Sequence, residues 1–385
     1  MSSGRASTGF GRVARGIGAA LHDRYDIHLL GHDVWESVSV PGCTLHPGTR
    51  RDIFGLAQLP ELHDALRPDA PRVLNDHWFV PAFQRALEAA QHCSKLVFYL
   101  PVDARVLDPH QLDPLRRLDA VVVYTEFGRQ VVLGAMASTG GISGRLRSVV
   151  TIPHGIDTAT FRPVPDDRAA ARRALLGAAA PAGGFWVLNA NKNSLRKRLD
   201  LTMIGFSLFA RGKPADVKLY MHAGRRDTGP DLQRLSRNLG LADRLIVTDD
   251  TYYHPDVSPS RLNLIYNACD VGVNTCVGEG WGLVAFEHGA TRSAQILPRH
   301  SALAELWPDA AVFLEPVGPV RFRDFLEGDM ISPEHLAEAL ELLYSDREYL
   351  ALMSLAAHRN AMRPEWSWKA AGAQWDGFFQ SLLTC

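Results

Sequence analysis

The sequence predicts an α/β chain built as two parallel-sheet domains, each covered by helices on both faces. Three observations predict it. The chain has 385 residues, which suits two domains at about 100–200 residues each. Apolar runs of strand length alternate with amphipathic runs of helix length through both halves, the pattern of a parallel sheet with covered faces. Between the two series lies a turn-rich connection, Ile152-Pro-His-Gly-Ile-Asp157, running on to Pro163. Its proline, glycine and aspartate mark a boundary, so the first domain is expected over residues 1–160 and the second over 161–365.

Composition narrows the class. Hydrophobic residues make up 46% and charged residues 22%, enough for two cores and against wholesale disorder. The net charge of -1 argues against a nucleic-acid partner, which calls for a basic excess. Five cysteines (Cys43, Cys93, Cys269, Cys276, Cys385) are scattered without Cys-x-x-Cys or zinc spacing, and so read as reduced structural thiols. No long apolar run or leader-like start is present, so a cytoplasmic protein with at most peripheral membrane contact is expected.

In the first half, Ser7-Thr-Gly-Phe-Gly-Arg12 leads into a helix whose face carries Val13, Ile17, Ala20 and Leu21. Gly9 and Gly11 open the backbone there, so their amides suit an anion; a plain flexible start before a surface helix fits the same residues. Strands are expected at 27–30, 72–75, 95–100, 120–124 and 147–152, with helices at 57–66, 81–90 and 127–137. Parallel sheets bind ligands beyond the carboxyl ends of their strands. Three segments fall there: Asn75-Asp-His-Trp78, Pro101-Val-Asp103 and Thr125-Glu-Phe127. His77 and Asp103 could orient or polarise an acceptor hydroxyl, although capping is the plainer role, and Thr125 suits a helix N-cap. Residues 33–52 carry no readable code.

In the second half, helices are expected at 166–176, 201–210, 232–239 and 261–268, the last opened by Ser258. Strands are expected at 185–189, 217–221, 245–248 and 270–274, with a small-residue loop over 178–184. Lys192, Arg196, Lys197 and Arg198 crowd the loop directly after the first of these strands. A charge run is usually a solvated surface, but this placement points to phosphate. His222-Ala-Gly-Arg225 also follows a strand. Then comes Val277-Gly-Glu-Gly-Trp-Gly-Leu-Val-Ala-Phe-Glu287, read as a loop over 276–282 and a helix from 283. Free amides at Gly282 and Leu283 would face an anion. Glu279 and Glu287 can accept hydrogen bonds from sugar hydroxyls, which together describes a nucleotide-sugar site. A glycine-rich turn flanked by two surface acids is the alternative on spacing alone. Further strands and helices follow at 294–297, 300–306, 311–314, 333–344 and 349–359. Trp368, Ala371, Trp375, Phe378 and Phe379 line one face of a last helix, 366–383, a stripe that reads as core.

The pair Glu279 and Glu287, separated by seven residues, resembles the signature of the family 4 retaining glycosyltransferases of GT-B fold. With the other matches, the resemblance runs from about residue 7 to the last helix. It implies two Rossmann-like domains facing each other across a cleft, with the last helix, 366–385, packing back on an acceptor-binding first domain. The second domain would bind the donor. The Gly9–Gly11 loop would face the donor diphosphate. Lys192 and Lys197 match the family's phosphate-binding Arg and Lys, with Arg196 as the neighbour in register; Lys in the Arg position keeps charge but loses the bidentate fork. Glu279 would hold the donor sugar and Glu287 the ribose. His154 stands where the family carries Asn.

There are two departures from the family. No strand is legible before the first glycine loop, since residues 1–5 are short and polar. Either the start lies upstream or the sheet lacks a strand. The loop at Asp103 also lacks the family's histidine. The resemblance implies transfer of a sugar, with retention, from a nucleoside diphosphate sugar to a hydroxyl of a sugar, glycan, lipid or small molecule. It implies no cofactor and no metal, the cations taking a metal's place. A nucleotide-sugar epimerase, a phosphorylase or a non-catalytic sugar-nucleotide-binding protein are the alternatives; no lysine context marks a pyridoxal phosphate. Replacing Lys197 is expected to cost turnover more than stability.

Overall fold

The computed structural model describes all residues except 6, 37–38, 166, 178–182, 249–250, 252 and 385. Most of the small-residue loop, the first residue of the helix expected at 166, and Cys385 therefore lie outside the described residues. The chain forms two compact units: Met1–Gly155 with Pro364–Cys385, and Ile156–Arg363.

In the first unit, four parallel strands run side by side: Arg72–Leu74, Val97–Leu100, Ala120–Val123 and Ser148–Thr151. The middle two read Val-Phe-Tyr-Leu and Ala-Val-Val-Val and are buried throughout, the continuous apolar pattern of strands covered on both faces. Ser2–Ser3, His28–His32 and Thr44–Pro47 form three more parallel strands. Met1 joins the two sets, because its carbonyl accepts from the Leu74 amide at 2.9 Å and its amine donates to the Arg72 carbonyl at 2.6 Å. Met1–Ser3 thus occupies the strand position that the sequence left empty, and the expectation of a missing strand is corrected. Pairing is a backbone property, and the polar side chains find local partners: Ser2 Oγ donates to the Phe10 carbonyl and Thr8 Oγ1 to Ser3 Oγ.

Helices flank this sheet where caps and apolar faces coincide. Gly9–Leu21 begins at Thr8, whose hydroxyl accepts from the Gly11 amide, and buries Val13, Ala14, Ile17 and Leu21. Glu126–Ser138 is capped by Thr125 through the Gly128 amide. The last helix, Trp368–Thr384, buries Ala371 and Trp375. Trp375 packs edge-on against Tyr99 at 5.0 Å, and Phe379 lies 5.7 Å from Tyr25. Of the expected stripe, Ala371 and Trp375 are buried, while Trp368, Phe378 and Phe379 are half-buried.

The second unit is a six-stranded parallel sheet. Its strands in chain order are Trp186–Asn189, Lys218–Met221, Leu245–Val247, Val271–Val273, Ala294–Pro298 and Val312–Leu314. Across the sheet they lie third, second, first, fourth, fifth, sixth, the order of a doubly wound nucleotide-binding sheet. The core between sheet and helices includes Phe185, Met203, Phe206, Leu336 and Leu340. The sequence reading missed the antiparallel hairpin of Pro316–Arg323 and Leu326–Ile331, as it missed the strand Thr44–Pro47 in the first unit. No helix among the described residues is long and apolar enough to cross a membrane.

Candidate functional site

The strand order of the second unit sets its site. Trp186–Asn189 and Val271–Val273 are neighbours in the sheet, yet the chain leaves them toward opposite flanks. A crevice opens at such a switch point, outside the carboxyl ends of the strands. The basic loop follows the first of these strands, and the Glu279 loop follows the second. Two segments far apart in sequence therefore meet.

Glu279 is 7% exposed. Lys197 Nζ and Asn274 Nδ2 both donate to its Oε2, the latter at 3.2 Å, and Arg196 lies 3.8 Å from Oε1. Burial pushes the carboxyl up, but the Lys197 ammonium, the Arg196 guanidinium and the hydrogen bonds outweigh it and hold it at about 2. Glu279 is thus an ionised, buried hydrogen-bond acceptor at all ordinary pH. Its backbone is fixed too: its amide donates to Ser301 Oγ at 3.1 Å, and its carbonyl accepts from Ala302 at 3.2 Å.

Gly282 has φ +90° and begins the helix Leu283–Ala290. Only a residue without a Cβ adopts that conformation freely, and a Cβ would also come within 2.7 Å of Leu303 Cδ2. The Gly282 carbonyl takes the amides of Ala285 and Phe286. The first-turn amides of Leu283 and Val284 precede the helix's own ladder, as at any helix start, and such amides attract anions. Glu287 is buried in the same helix and accepts from the Tyr266 hydroxyl at 2.8 Å. Neither acid is a surface residue, so the picture of a plain turn flanked by surface acids is corrected.

The missed hairpin braces this loop. The Asp329 amide donates to the Val277 carbonyl at 2.9 Å, while the Val277 amide donates to the Arg196 carbonyl at 2.9 Å. A Cβ on Gly328 would lie 1.7 Å from the Val277 carbonyl oxygen, so only glycine permits the approach. The structure brings Glu279, Lys197 and Arg196 together. Lys192 stands apart from that cluster, largely exposed, 3.2 Å from Asp227. Asn274, Ser301 and Asp227 were missed in the sequence; only Asn274, directly after a strand, carried a signal. His222 accompanies them at the next strand end, its Nδ1 2.7 Å from Thr248 Oγ1 and its ring 4.8 Å from His254.

The remaining candidates belong to the first unit. The Gly11 amide is occupied by the Thr8 cap, which corrects the expectation that it awaits an anion. A Cβ there would lie 1.8 Å from the Arg5 carbonyl oxygen, so Gly11 contributes room. Gly9 is exposed at the first helical position. His77 is buried at the start of the short turn His77–Phe79, its ring 5.0 Å from that of Trp78. Asp103 is half-buried beyond Val97–Leu100. His154 is buried, with its Nδ1 2.7 Å from the Tyr99 hydroxyl; burial lowers it to about 3, so it is a neutral core histidine. The cysteines Cys43, Cys93, Cys269 and Cys276 are free thiols, and burial pushes Cys276 up to about 12.

No family model matches the chain. A curated relative, a D-inositol 3-phosphate glycosyltransferase of Acidothermus cellulolyticus, is 28% identical over 196 residues, 49% of this chain and 41% of that protein. The chain thus spans less than half the length of this relative. Among solved structures, a sucrose-phosphate synthase from Thermosynechococcus elongatus matches with a TM-score of 0.73 at 17% identity, covering 100% of this chain and 96% of that one. Anabaena HepE, solved with UDP and glucose, matches with a TM-score of 0.71 at 17% identity over 98% of both chains. The fold is therefore GT-B, made of two Rossmann-like parallel-sheet units.

Proposed function

We propose that this chain is a retaining glycosyltransferase. It moves a sugar from a nucleoside diphosphate sugar to an acceptor hydroxyl, without a metal or other cofactor. The observation that carries this reading is the buried, ionised Glu279 beside Lys197, in a turn that ends at the helix start of Leu283. The relative's printed name and the UDP and glucose held by HepE support it.

Each residue then has a task. Glu279 accepts hydrogen bonds from the donor sugar's hydroxyls, and Glu287 from the ribose. Sugar transfer leaves a nucleoside diphosphate, so negative charge grows on the phosphates. Lys197, Arg196, Lys192 and the amides of Leu283 and Val284 stabilise that charge electrostatically. No nucleophile is assigned to the protein: the acceptor attacks on the face the phosphate leaves, which gives retention. His77 and Asp103, at strand ends of the first unit, orient the acceptor hydroxyl. The free thiols suit a reducing cytoplasm.

Calorimetric titration with UDP, GDP, ADP and TDP, with and without magnesium, tests the reading. Binding of one diphosphate without metal, followed by sugar release from the matching nucleotide sugar only when an acceptor is present, is the expected result. Turnover of donor alone to an epimer, or binding of no nucleotide, refutes it.

A further inference from the structure

The second unit holds a cavity of about 450 Å³ lined by Arg168, Arg292 and Arg347 with one carboxylate, Asp270. A space of this size suits a small molecule. Asp270 lies directly before the strand Val271–Val273, and Arg292 lies two positions before Ala294–Pro298. The cavity therefore sits at the amino ends of the strands. The Glu279 loop follows their carboxyl ends, so the two places are on opposite edges of one sheet.

The carboxylate is already taken. Asp270 Oδ2 accepts from Arg172 Nη2 and from the Trp186 amide, each at 2.8 Å, and Arg168 Nε lies 3.4 Å from Oδ1. Arg168 is committed as well, donating to the carbonyls of Asn267, Cys269 and Arg292. Arg292 and Arg347 differ. Both are exposed, and neither pairs with a carboxylate among the described residues. Asp167, Asp346 and Glu348, next to the arginines in sequence, do not line the cavity, and the two aspartates cap their own helices. Arg347 is held against the rings of Phe185 and Tyr344, 5.5 and 5.3 Å from their centroids, a contact that keeps its N–H groups for an acceptor. Arg292 stands at φ +63° just after the helix Leu283–Ala290, where glycine is the usual residue.

The rest of the lining comes from the helix Arg347–Ala361: Leu350, Ala351 and Leu355 make an apolar wall, and Ser354 adds a hydroxyl. We propose that this cavity binds a small phosphate monoester whose body presents an apolar face, at a site separate from the donor site. Arg292 and Arg347 donate to the phosphate oxygens, the acceptor that guanidinium forks match. Arg168 adds charge from the floor, and Ser354 adds a donor. The two leucines cover the carbon body of the ester, which inorganic phosphate lacks. This site stands apart from the transferase reading.

Calorimetric titration of the full chain tests it, with phenyl phosphate, inorganic phosphate and phenol as probes. Phenyl phosphate is expected to bind about tenfold more tightly than inorganic phosphate, the worth of a partly covered ring. Phenol alone should not bind. Arg292→Gly suits the local backbone and should melt no lower than the parent. It is expected to weaken phenyl phosphate at least about tenfold, the worth of a hydrogen bond to a charged group. Arg347→Met keeps an apolar stem on the two rings and should weaken it to a similar degree. UDP, titrated separately, should bind both variants as it binds the parent and should not displace phenyl phosphate. Equal affinity for ester and inorganic phosphate, unchanged binding in Arg292→Gly, displacement by UDP, or no binding of phenyl phosphate overturns the proposal. A chain that binds phenyl phosphate but no nucleotide loses the transferase reading and keeps this site.

Discussion

Lys197→Met tests the buried ion pair at the centre of the proposed donor site. The fall of Glu279 from 4.5 to about 2 corresponds to about 3 kcal/mol, at about 1.4 kcal/mol per unit. Breaking a buried pair by removing one partner costs a similar amount, about 3–5 kcal/mol. Arg196, 3.8 Å from Oε1, retains part of the interaction, so about 2–3 kcal/mol is expected for Lys197→Met at pH 7. Glu279→Gln strands the lysine and should cost a similar amount. The double variant removes both charges and should be more stable than the sum of the single losses predicts, with a coupling of about 2 kcal/mol. Urea unfolding of the full chain, followed by tryptophan fluorescence, reads this; Trp281 is buried two positions from Glu279. Glu279 is depressed when folded, so its stabilisation is complete above about pH 4.5 and is lost as pH falls toward 2. The gap between parent and Lys197→Met must therefore close in acid. Single variants as stable as the parent, or no coupling between them, would refute the ion pair. The sequence alone suggested that Lys197 matters to turnover more than to stability; its burial against Glu279 makes it matter to both.

Gly282→Ala forces φ +90° on a residue with a Cβ and should cost about 1–2 kcal/mol, seen as a lower Tm together with weaker diphosphate binding. Glu287→Ala removes the proposed ribose acceptor and should weaken nucleotide binding about tenfold, the worth of one charged hydrogen bond, as read by calorimetry. His32, His154 and His288 are each lowered to about 3, by burial first of all. Their neutral forms stabilise the fold fully above about pH 6.5, and that contribution is lost as pH falls toward 3. Tm should therefore drop between pH 6.5 and 4, and His288→Gln should flatten that part of the profile.

The elements that the sequence revealed are those whose side chains announce burial. Ala120–Val123 and Val97–Leu100 are apolar throughout because both faces of a parallel sheet are covered. The helix start at Leu283 was legible because Gly280 and Gly282 precede an apolar run. Ser2–Ser3 was not, because it is held by backbone pairing and its side chains are polar. The hairpin Pro316–Arg323 hid behind two prolines and a glycine, residues that usually argue against a strand. Both acids and the basic loop were legible as chemistry. Their meeting was not, because Lys197 and Glu279 are joined by strand order and by no local pattern. Asp227 opposite Lys192 is likewise a property of the packed chain.

The last helix has a consequence for how the protein is made. Trp375 is buried in the first unit against Tyr99, yet it is synthesised after the whole of the second. Residues 1–155 leave the ribosome without the indole that fills their core. The second unit, contiguous over Ile156–Arg363, has every residue it needs before the first is complete. The core of the first unit is therefore complete only once the helix Trp368–Thr384 has been made, after the whole of the second unit.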